Sequence, residues 1–324
     1  MSGVISGSRG RVDRLGDRTL HASTFLAALL VVVAIAFIIY QLVDGAQLAI
    51  GHYGLSFIGS NVWNPAANNQ TGVFGAAAFI YGTAVTSAIA LILGAPIGLA
   101  IGLFLALLAP RRVAAVIGPL IELIAAVPSV VLGLWGLLVL APLVHSTLEP
   151  AIHAVLGWIP LFGTPASGWA GEGVFTAGLI LTIMVVPIIA SISRELFVSV
   201  PGDLKEGALA LGATQWEMVR GVVLSSTRPG LAATMILGLS RALGEAIAVT
   251  QVIGGGSSSI ISGNLFNVGD SLASRIANAF QSSNGHLETA SIFYLAVILL
   301  VFGLIANLVA QTIVRRYDLT HRTH

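Results

Sequence analysis

The sequence predicts an all-α, polytopic membrane protein of about six transmembrane helices, and three observations carry that prediction. The 324-residue chain is 56% hydrophobic and only 9% charged, with a mean hydropathy of +0.93. Several apolar runs reach the roughly 20 residues needed to cross the hydrocarbon of a bilayer. The arginines and the single lysine gather in alternate inter-run segments instead of being spread evenly. Soluble globular readings are excluded by this composition, and the lack of cysteine removes disulfides, thiolate metal sites and cysteine nucleophiles.

Residues 1–21 form a polar tail with Arg9, Arg11, Arg14 and Arg18, followed by an apolar run over 22–43. The run is longer than a signal-peptide core and no A-x-A cleavage pattern follows it, so it is expected to remain as the first span. The arginines are explained by orientation, with the N-terminus cytoplasmic, and no nucleic-acid partner is expected. The segment up to residue 73 has no Lys or Arg and belongs outside. A second span is expected over 74–108, with Pro96 and with Gly94, Gly98 and Gly102 at i, i+4, i+8, a spacing that lets another helix approach closely. Arg111 and Arg112 mark a cytoplasmic turn, and Glu122 is expected at the interface. The third span, over 119–143, is interrupted at Pro128-Ser129 and Gly133. Backbone groups freed by such a break are tolerated only against protein or a watery cavity, which makes Ser129 a candidate pathway residue.

The next loop, 144–173, again lacks Lys and Arg, and its His145 and His153 are read as solvated. A fourth span over 174–198 ends near Arg194, and a polar segment over 199–229 leads to a fifth span over 230–253. The run Gly254–Ser259 reads as a flexible loop. The sixth span covers 289–314, closed by a tail over 315–324 with Arg315, Arg316 and Arg322. Of the 15 basic residues all but Arg241 and Arg275 then fall on one side, which places both termini and the 199–229 segment in the cytoplasm. The single lysine, Lys205, is not preceded by a phosphate-binding glycine run, so this chain is not its own P-loop ATPase.

Within 199–229, Asp203 with Glu206 and Thr214 with Glu217 fit capping-box starts for two short helices, with Gly212 between them as a C-cap. The first helix would align Leu204, Ala208 and Leu211, and the second Trp216, Val219 and Val223. A polar hairpin with one apolar face is built to dock, either on its own membrane domain or on a partner. Inside the fifth span, Arg241 and Glu245 stand one helical turn apart. Each would cost about 2.5–3.5 kcal/mol near mid-bilayer, so both are expected to face an interior or cavity. One reading is an internal salt bridge. The other is an anion path, in which guanidinium binds a tetrahedral oxyanion and the carboxylate accepts the hydrogen of a protonated phosphate, which sulfate lacks.

The segment Glu206-Gly207-Ala208, then Gly212, then Val222 and Leu224 resembles the cytoplasmic coupling loop of ATP-binding-cassette importer permeases, E-A-A, three residues, G, nine residues, I-x-L-P. Gly207 replaces Ala and Ser225 replaces Pro. Trp63-Asn64-Pro65, Gly82-Thr83, Pro128 to Gly136 (PSVVLGLWG), Arg241 to Glu245 (RALGE) and Ile276-Ala277-Asn278 narrow the resemblance to PstC-type permeases of phosphate-specific transport systems, over about residue 57 to the C-terminus. The resemblance implies a type I importer fold in the inner membrane, a PstA-type permease as heterodimer partner, a PstB-type ATPase dimer and a PstS-type extracytoplasmic phosphate-binding protein. It also implies that the loop around Glu206–Gly212 seats in the ATPase and that Arg241 and Glu245 serve phosphate passage. ATP and magnesium would belong to the partner ATPase, with no cofactor, metal site or catalytic residue in this chain and membrane lipid around it. The loop between Val252 and Leu287, with Asp270 and Arg275, is expected to receive the binding protein. The alternatives are a permease for another oxyanion or small solute, an ion-gradient transporter using Arg241 and Glu245 as a proton-linked pair, and, without a nucleophile motif to support it, an intramembrane hydrolase.

Overall fold

A computed structural model describes residues 11–65, 72–164, 171–255, 261–283 and 285–319. Parts of the expected tails (1–10 and 320–324) and most of the Gly254–Ser259 loop lie outside these residues. Among the described residues, six helices are long and apolar enough to cross a membrane. Among the described residues the architecture is all-α, apart from one short antiparallel pair of strands matching Trp63 with Phe74 and Asn64 with Val73.

Helix α1 (Arg11–Tyr53) begins well before the apolar run, and near the junction Thr19, Ser23 and Thr24 bond back to carbonyls of the preceding turn. Its apolar stretch is exposed and it joins the bundle only at its far end, where Gly45 accepts the ring of Phe293 and Ala46 and Ala49 are buried. Helix α2 (Ala77–Leu108) and helix α5 (Val174–Ser199) form the central pair. Gly94, Gly98 and Gly102 are all buried on α2 and face Val185, Ile189 and Ala190 on α5.

Between them, the expected third span is two helices: α3 (Arg111–Ala125) and α4 (Ser129–Leu156). Pro128 has no N–H to continue α3 and pushes Val127 out of helical geometry, so the chain restarts at Ser129. The long span therefore begins at Ser129, not 119, and extends past 143 to Leu156, with the His145–Glu149 pair inside it. His145 Nδ1 lies 3.0 Å from the buried Glu149 Oε2, and His153 Nδ1 lies 2.8 Å from the Phe162 carbonyl, so neither ring is simply solvated. Glu122 is exposed on α3.

Helix α6 (Gly202–Ala210) is short, whereas α7 (Gln215–Gly244) runs from the polar segment straight into the fifth span. The expected boundary at Pro229 is absent. Ser226 and Thr227 bond carbonyls four residues back, and a wide turn over Val219–Val223 precedes the proline, so the helix carries Pro229 in its interior. The fifth span instead breaks at Glu245-Ala246 and resumes as α8 (Ile247–Val252). Helix α9 (Leu272–Ser282) is amphipathic and precedes α10 (His286–Leu319).

Three apolar clusters hold these elements. At the end away from the basic residues, Phe57 stacks on Tyr294 with ring centres 4.6 Å apart, beside Trp63, Phe74 and Phe79. The middle joins α2, α4, α5 and α8 through residues such as Ile180, Val185 and Val252. At the basic end, Phe197 and Val200 bury Met218, Val219 and Val223.

Candidate functional site

The two interrupted helices meet at their breaks. The first turns of α4 pack on α8 through Gly133, where a Cβ would come within 2.8 Å of the Ala248 Cα. Gly136, one turn on, lies against Ile180 and Val252. Interrupted helices of this kind expose backbone groups inside a membrane and recur where transporters bind their cargo. The PSVVLGLWG segment is thus brought against α8, the helix that resumes directly after RALGE.

Arg241 closes α7 and Glu245 occupies the break, with Arg241 Nη2 3.5 Å from Glu245 Oε2. Glu245 also places Oε1 3.5 Å from the Ala248 N–H at the start of α8. The pair is asymmetric, since the Glu245 side chain is 8% exposed and that of Arg241 47%. A guanidinium held at one edge by a buried carboxylate and open elsewhere keeps donors free for a second oxyanion, which a closed internal salt bridge would not. Ser129 is half-buried at the first turn of α4 and hydrogen-bonds to neither Arg241 nor Glu245. Two residues that the sequence reading passed over, Thr250 and Gln251, carry buried side-chain oxygens without a hydrogen-bond partner. The available signal was a Thr-Gln pair inside an otherwise apolar run.

The polar segment at the basic end divides into two faces. Lys205 Nζ donates to the Phe197 carbonyl at 3.1 Å, placing its charge on the C-terminal turn of α5, where the helix dipole favours a cation. The turn after α6 closes as the sequence anticipates. Gly212 adopts φ +91°, its N–H bonds the Leu209 carbonyl and the Ala213 N–H bonds the Ala208 carbonyl. The Thr214–Glu217 capping box is present, but Asp203 caps nothing, because α6 starts one residue earlier behind Pro201. The Thr214 N–H and hydroxyl both donate to the Glu217 carboxylate at 2.8 Å, which fixes the start of α7.

Val219 and Val223 do not share a face with Trp216. They are buried with Met218 against the bundle, and Ala208, Val222 and Leu224 are partly buried there. Leu204, Leu211 and Trp216 remain exposed, Leu211 by 91% and Trp216 by 66%, and Glu206, Gly207 and Gly212 lie on the open side with them. The docking question posed by the sequence therefore has two physical halves, one face seated on its own domain and one left open.

At the opposite end, Asp270 and Arg275 are not surface groups. Their side chains are 1% and 9% exposed, the Arg275 guanidinium lies 4.8 Å over the Trp63 ring, and Arg275 Nη1 is 3.8 Å from Asp270 Oδ2. Asp270 also accepts from the Ser271 N–H and the Ser274 hydroxyl. Burial pushes its carboxyl up to about 6, against the lowering effect of those hydrogen bonds and of Arg275. Burial also lowers Arg275. Neither can meet a docking protein, so they tie the loop to the bundle instead. Among the described residues no cluster of His, Asp and Glu could hold a metal.

Comparison with known proteins gives three results. Residues 98–319 match the family model "Binding-protein-dependent transport system inner membrane component". The chain is 41% identical over 305 residues to "Phosphate transport system permease protein PstC" of Mesorhizobium japonicum, covering 94% of this chain and 91% of that one. To the protein of the same name from Haemophilus influenzae it is 40% identical, covering 92% and 93%. Among solved structures, a "bacterial ABC transporter involved in the import of the acidic polysaccharide alginate" aligns over 93% of this chain and 99% of that chain, with a TM-score of 0.57 at 18% identity, a likeness of fold.

Proposed function

The chain belongs to the family of binding-protein-dependent transport system inner membrane components, in its PstC-type branch, and from that premise we propose that it passes inorganic phosphate across the cytoplasmic membrane. It is a multi-pass membrane subunit of a transport system, not an enzyme. The observation that carries the phosphate reading is the half-open Arg241 guanidinium held by buried Glu245 at a helix break. Arg241 binds the ionised phosphate oxygens, Glu245 accepts a P–O–H hydrogen, and Ser129 lines the path at the start of α4. The names of the relatives support the same substrate.

The energy source in this reading is a separate PstB-type ATPase dimer, which holds ATP and magnesium and docks on the open face of the hairpin at Leu204, Leu211 and Trp216, with Glu206, Gly207 and Gly212 beside them. Ala208, Val222 and Leu224 transmit the push by seating the hairpin on α2 and α5. Closure of the ATPases tips the path between two packings of the bundle. A PstA-type permease completes the pathway, a PstS-type protein delivers phosphate from outside, and both termini lie in the cytoplasm. The test is ATP-dependent phosphate uptake into proteoliposomes carrying the assembled complex and supplied with binding protein. Arg241→Lys and Glu245→Gln are each expected to lower uptake about tenfold, the scale of about 1.4 kcal/mol for one charge-assisted hydrogen bond, with assembly intact. Undiminished flux in both, or uptake driven by a proton gradient alone, refutes the reading.

A further inference from the structure

Several buried hydroxyls in this fold bond back along their own helix: Thr182, Thr227 and Thr234 each donate to the carbonyl four residues earlier. Thr250 does not: like Ser87 and Ser193 in the contact between α2 and α5, it has a buried hydroxyl without a partner, but it alone of the three lies on the helix that follows the break. The neighbouring Gln251 Oε1 is buried without a donor as well. Buried polar atoms are paired in the great majority of cases, because an unpaired one keeps its full desolvation penalty. Here two successive ones lie on the short helix that resumes directly after Glu245.

The same place is closed by a glycine. A Cβ at Gly133 would fall 2.8 Å from the Ala248 Cα and 2.8 Å from Gln251 Oε1. The bare Cα of Gly133 therefore lets α4 and α8 close on each other and covers the amide oxygen as they do.

We propose that Ser129–Trp135 and Ile247–Val252 are the two sides of a constriction in the path, closed across Gly133, and that Gln251 and Thr250 are specificity-determining groups for an oxyanion that carries its own O–H hydrogens. The inference rests on the phosphate-path reading of Arg241 and Glu245. When the two sides part, Gln251 Oε1 accepts a P–O–H hydrogen and the Thr250 hydroxyl accepts another or donates to an ionised oxygen. Hydrogen phosphate and dihydrogen phosphate supply such hydrogens, and fully ionised sulfate supplies none. Sites built to pair with a substrate hydroxyl reject analogues that lack it, because their own polar groups are then left unpaired.

The experiment uses the whole complex in proteoliposomes preloaded with labelled phosphate or sulfate, without ATP, which takes the selectivity of the binding protein out of the measurement. Gly133→Ala wedges the constriction and is expected to release phosphate at least about tenfold faster than sulfate, while the unsubstituted complex stays sealed. Adding Gln251→Leu or Thr250→Val is expected to erase most of that preference. A Gly133→Ala complex that assembles and stays sealed, or one that leaks both anions equally, overturns the proposal. Should Gly133→Ala fail to assemble, ATP-driven phosphate uptake by Gln251→Leu alone decides, a several-fold fall supporting the proposal and an unchanged rate overturning it. Arg241→Lys run in parallel separates the two readings. If it abolishes uptake while Gln251→Leu is silent, only the constriction proposal fails; if both are silent, the phosphate path at Arg241 fails with it.

Discussion

The three glycines of α2 make a graded test of the central helix contact, since each meets α5 at a different separation. A Cβ on Gly94 would find its nearest neighbour, Val185 Cγ1, at 3.7 Å, an ordinary contact. On Gly98 it would sit 2.8 Å from the Ile189 Cβ and 3.1 Å from the Val186 carbonyl. On Gly102 it would sit 2.9 Å from the Ala190 carbonyl and 3.1 Å from the Arg194 backbone nitrogen, neither of which can rotate away. Ala improves on Gly by about 0.5–1 kcal/mol in a helix and its unfolded chain. Overpacking costs about 1–3 kcal/mol. Gly94→Ala is therefore expected to be neutral or stabilising by up to about 1 kcal/mol, Gly98→Ala to lose about 1 kcal/mol net as Ile189 shifts, and Gly102→Ala to lose about 2 kcal/mol because backbone must move. Thermal unfolding midpoints of the three variants in one detergent or nanodisc preparation check the order. Equal losses at all three positions, or a neutral Gly102→Ala beside a damaging Gly94→Ala, would refute the packing argument.

The hairpin should separate docking from folding: Leu211→Asp and Trp216→Asp are expected to leave stability within about 0.5 kcal/mol of the parent, as exposed positions do, while ATPase co-purification falls. Val223→Ala, in the buried face, is expected to cost about 1–3 kcal/mol with the docking surface unchanged. Gly212→Asp, at φ +91°, is expected to cost about 1–2 kcal/mol locally and to uncouple ATP hydrolysis from uptake; a variant that stays bound and coupled would remove the hairpin from the mechanism. Asp270 gives a pH dependence of definite sign. Its folded carboxyl titrates at about 6, against 3.8 for a freely solvated aspartate side chain, so the folded state holds the proton more tightly. The stability it contributes is complete below about pH 4 and is lost as pH rises through about 6, by at most about 3 kcal/mol. Hydrogen exchange of residues 270–283 is expected to be slower at pH 5 than at pH 7, once corrected for the intrinsic pH dependence of exchange, and Asp270→Asn to flatten the difference.

What could be read from the sequence follows from which interactions are local. The φ of Gly212 and the Thr214–Glu217 capping box depend on a few adjacent residues, and the glycine spacing of α2 is a helical repeat, so each is visible in one dimension. The restart at Ser129 was half visible: Pro128 announces an interruption, but only packing against α8 decides that α3 is a separate helix. Pro229 misleads for the opposite reason, since Ser226 and Thr227 hydrogen bonds and a wide turn let a helix absorb it. Asp270 and Arg275 read as exposed because charged loop residues usually are. Their burial requires Trp63, Phe79 and Gly82, nearly 200 residues away, where a Cβ on Gly82 would collide with the Asp270 carbonyl.

The same distinction bears on how the hairpin and the break communicate. The second arm of the hairpin and the edge of the break both lie on α7, which runs unbroken from Gln215 beside the exposed hairpin face to Arg241 and Gly244. Had the polar segment ended at Pro229, a push on Trp216 would have been taken up by a loop before it reached the span. In the function proposed above, a continuous helix, packed at its base through Met218, Val219 and Val223 and tied across to α10 by the 2.9 Å hydrogen bond from Ser240 to Asn307, would carry the displacement as a rigid body to Arg241. The Glu245-Ala246 break is then the first point at which α8 can stay behind while α7 moves. The polar groups expected to meet the anion sit on both sides of that point, Arg241 on the moving helix and Gln251 on the other.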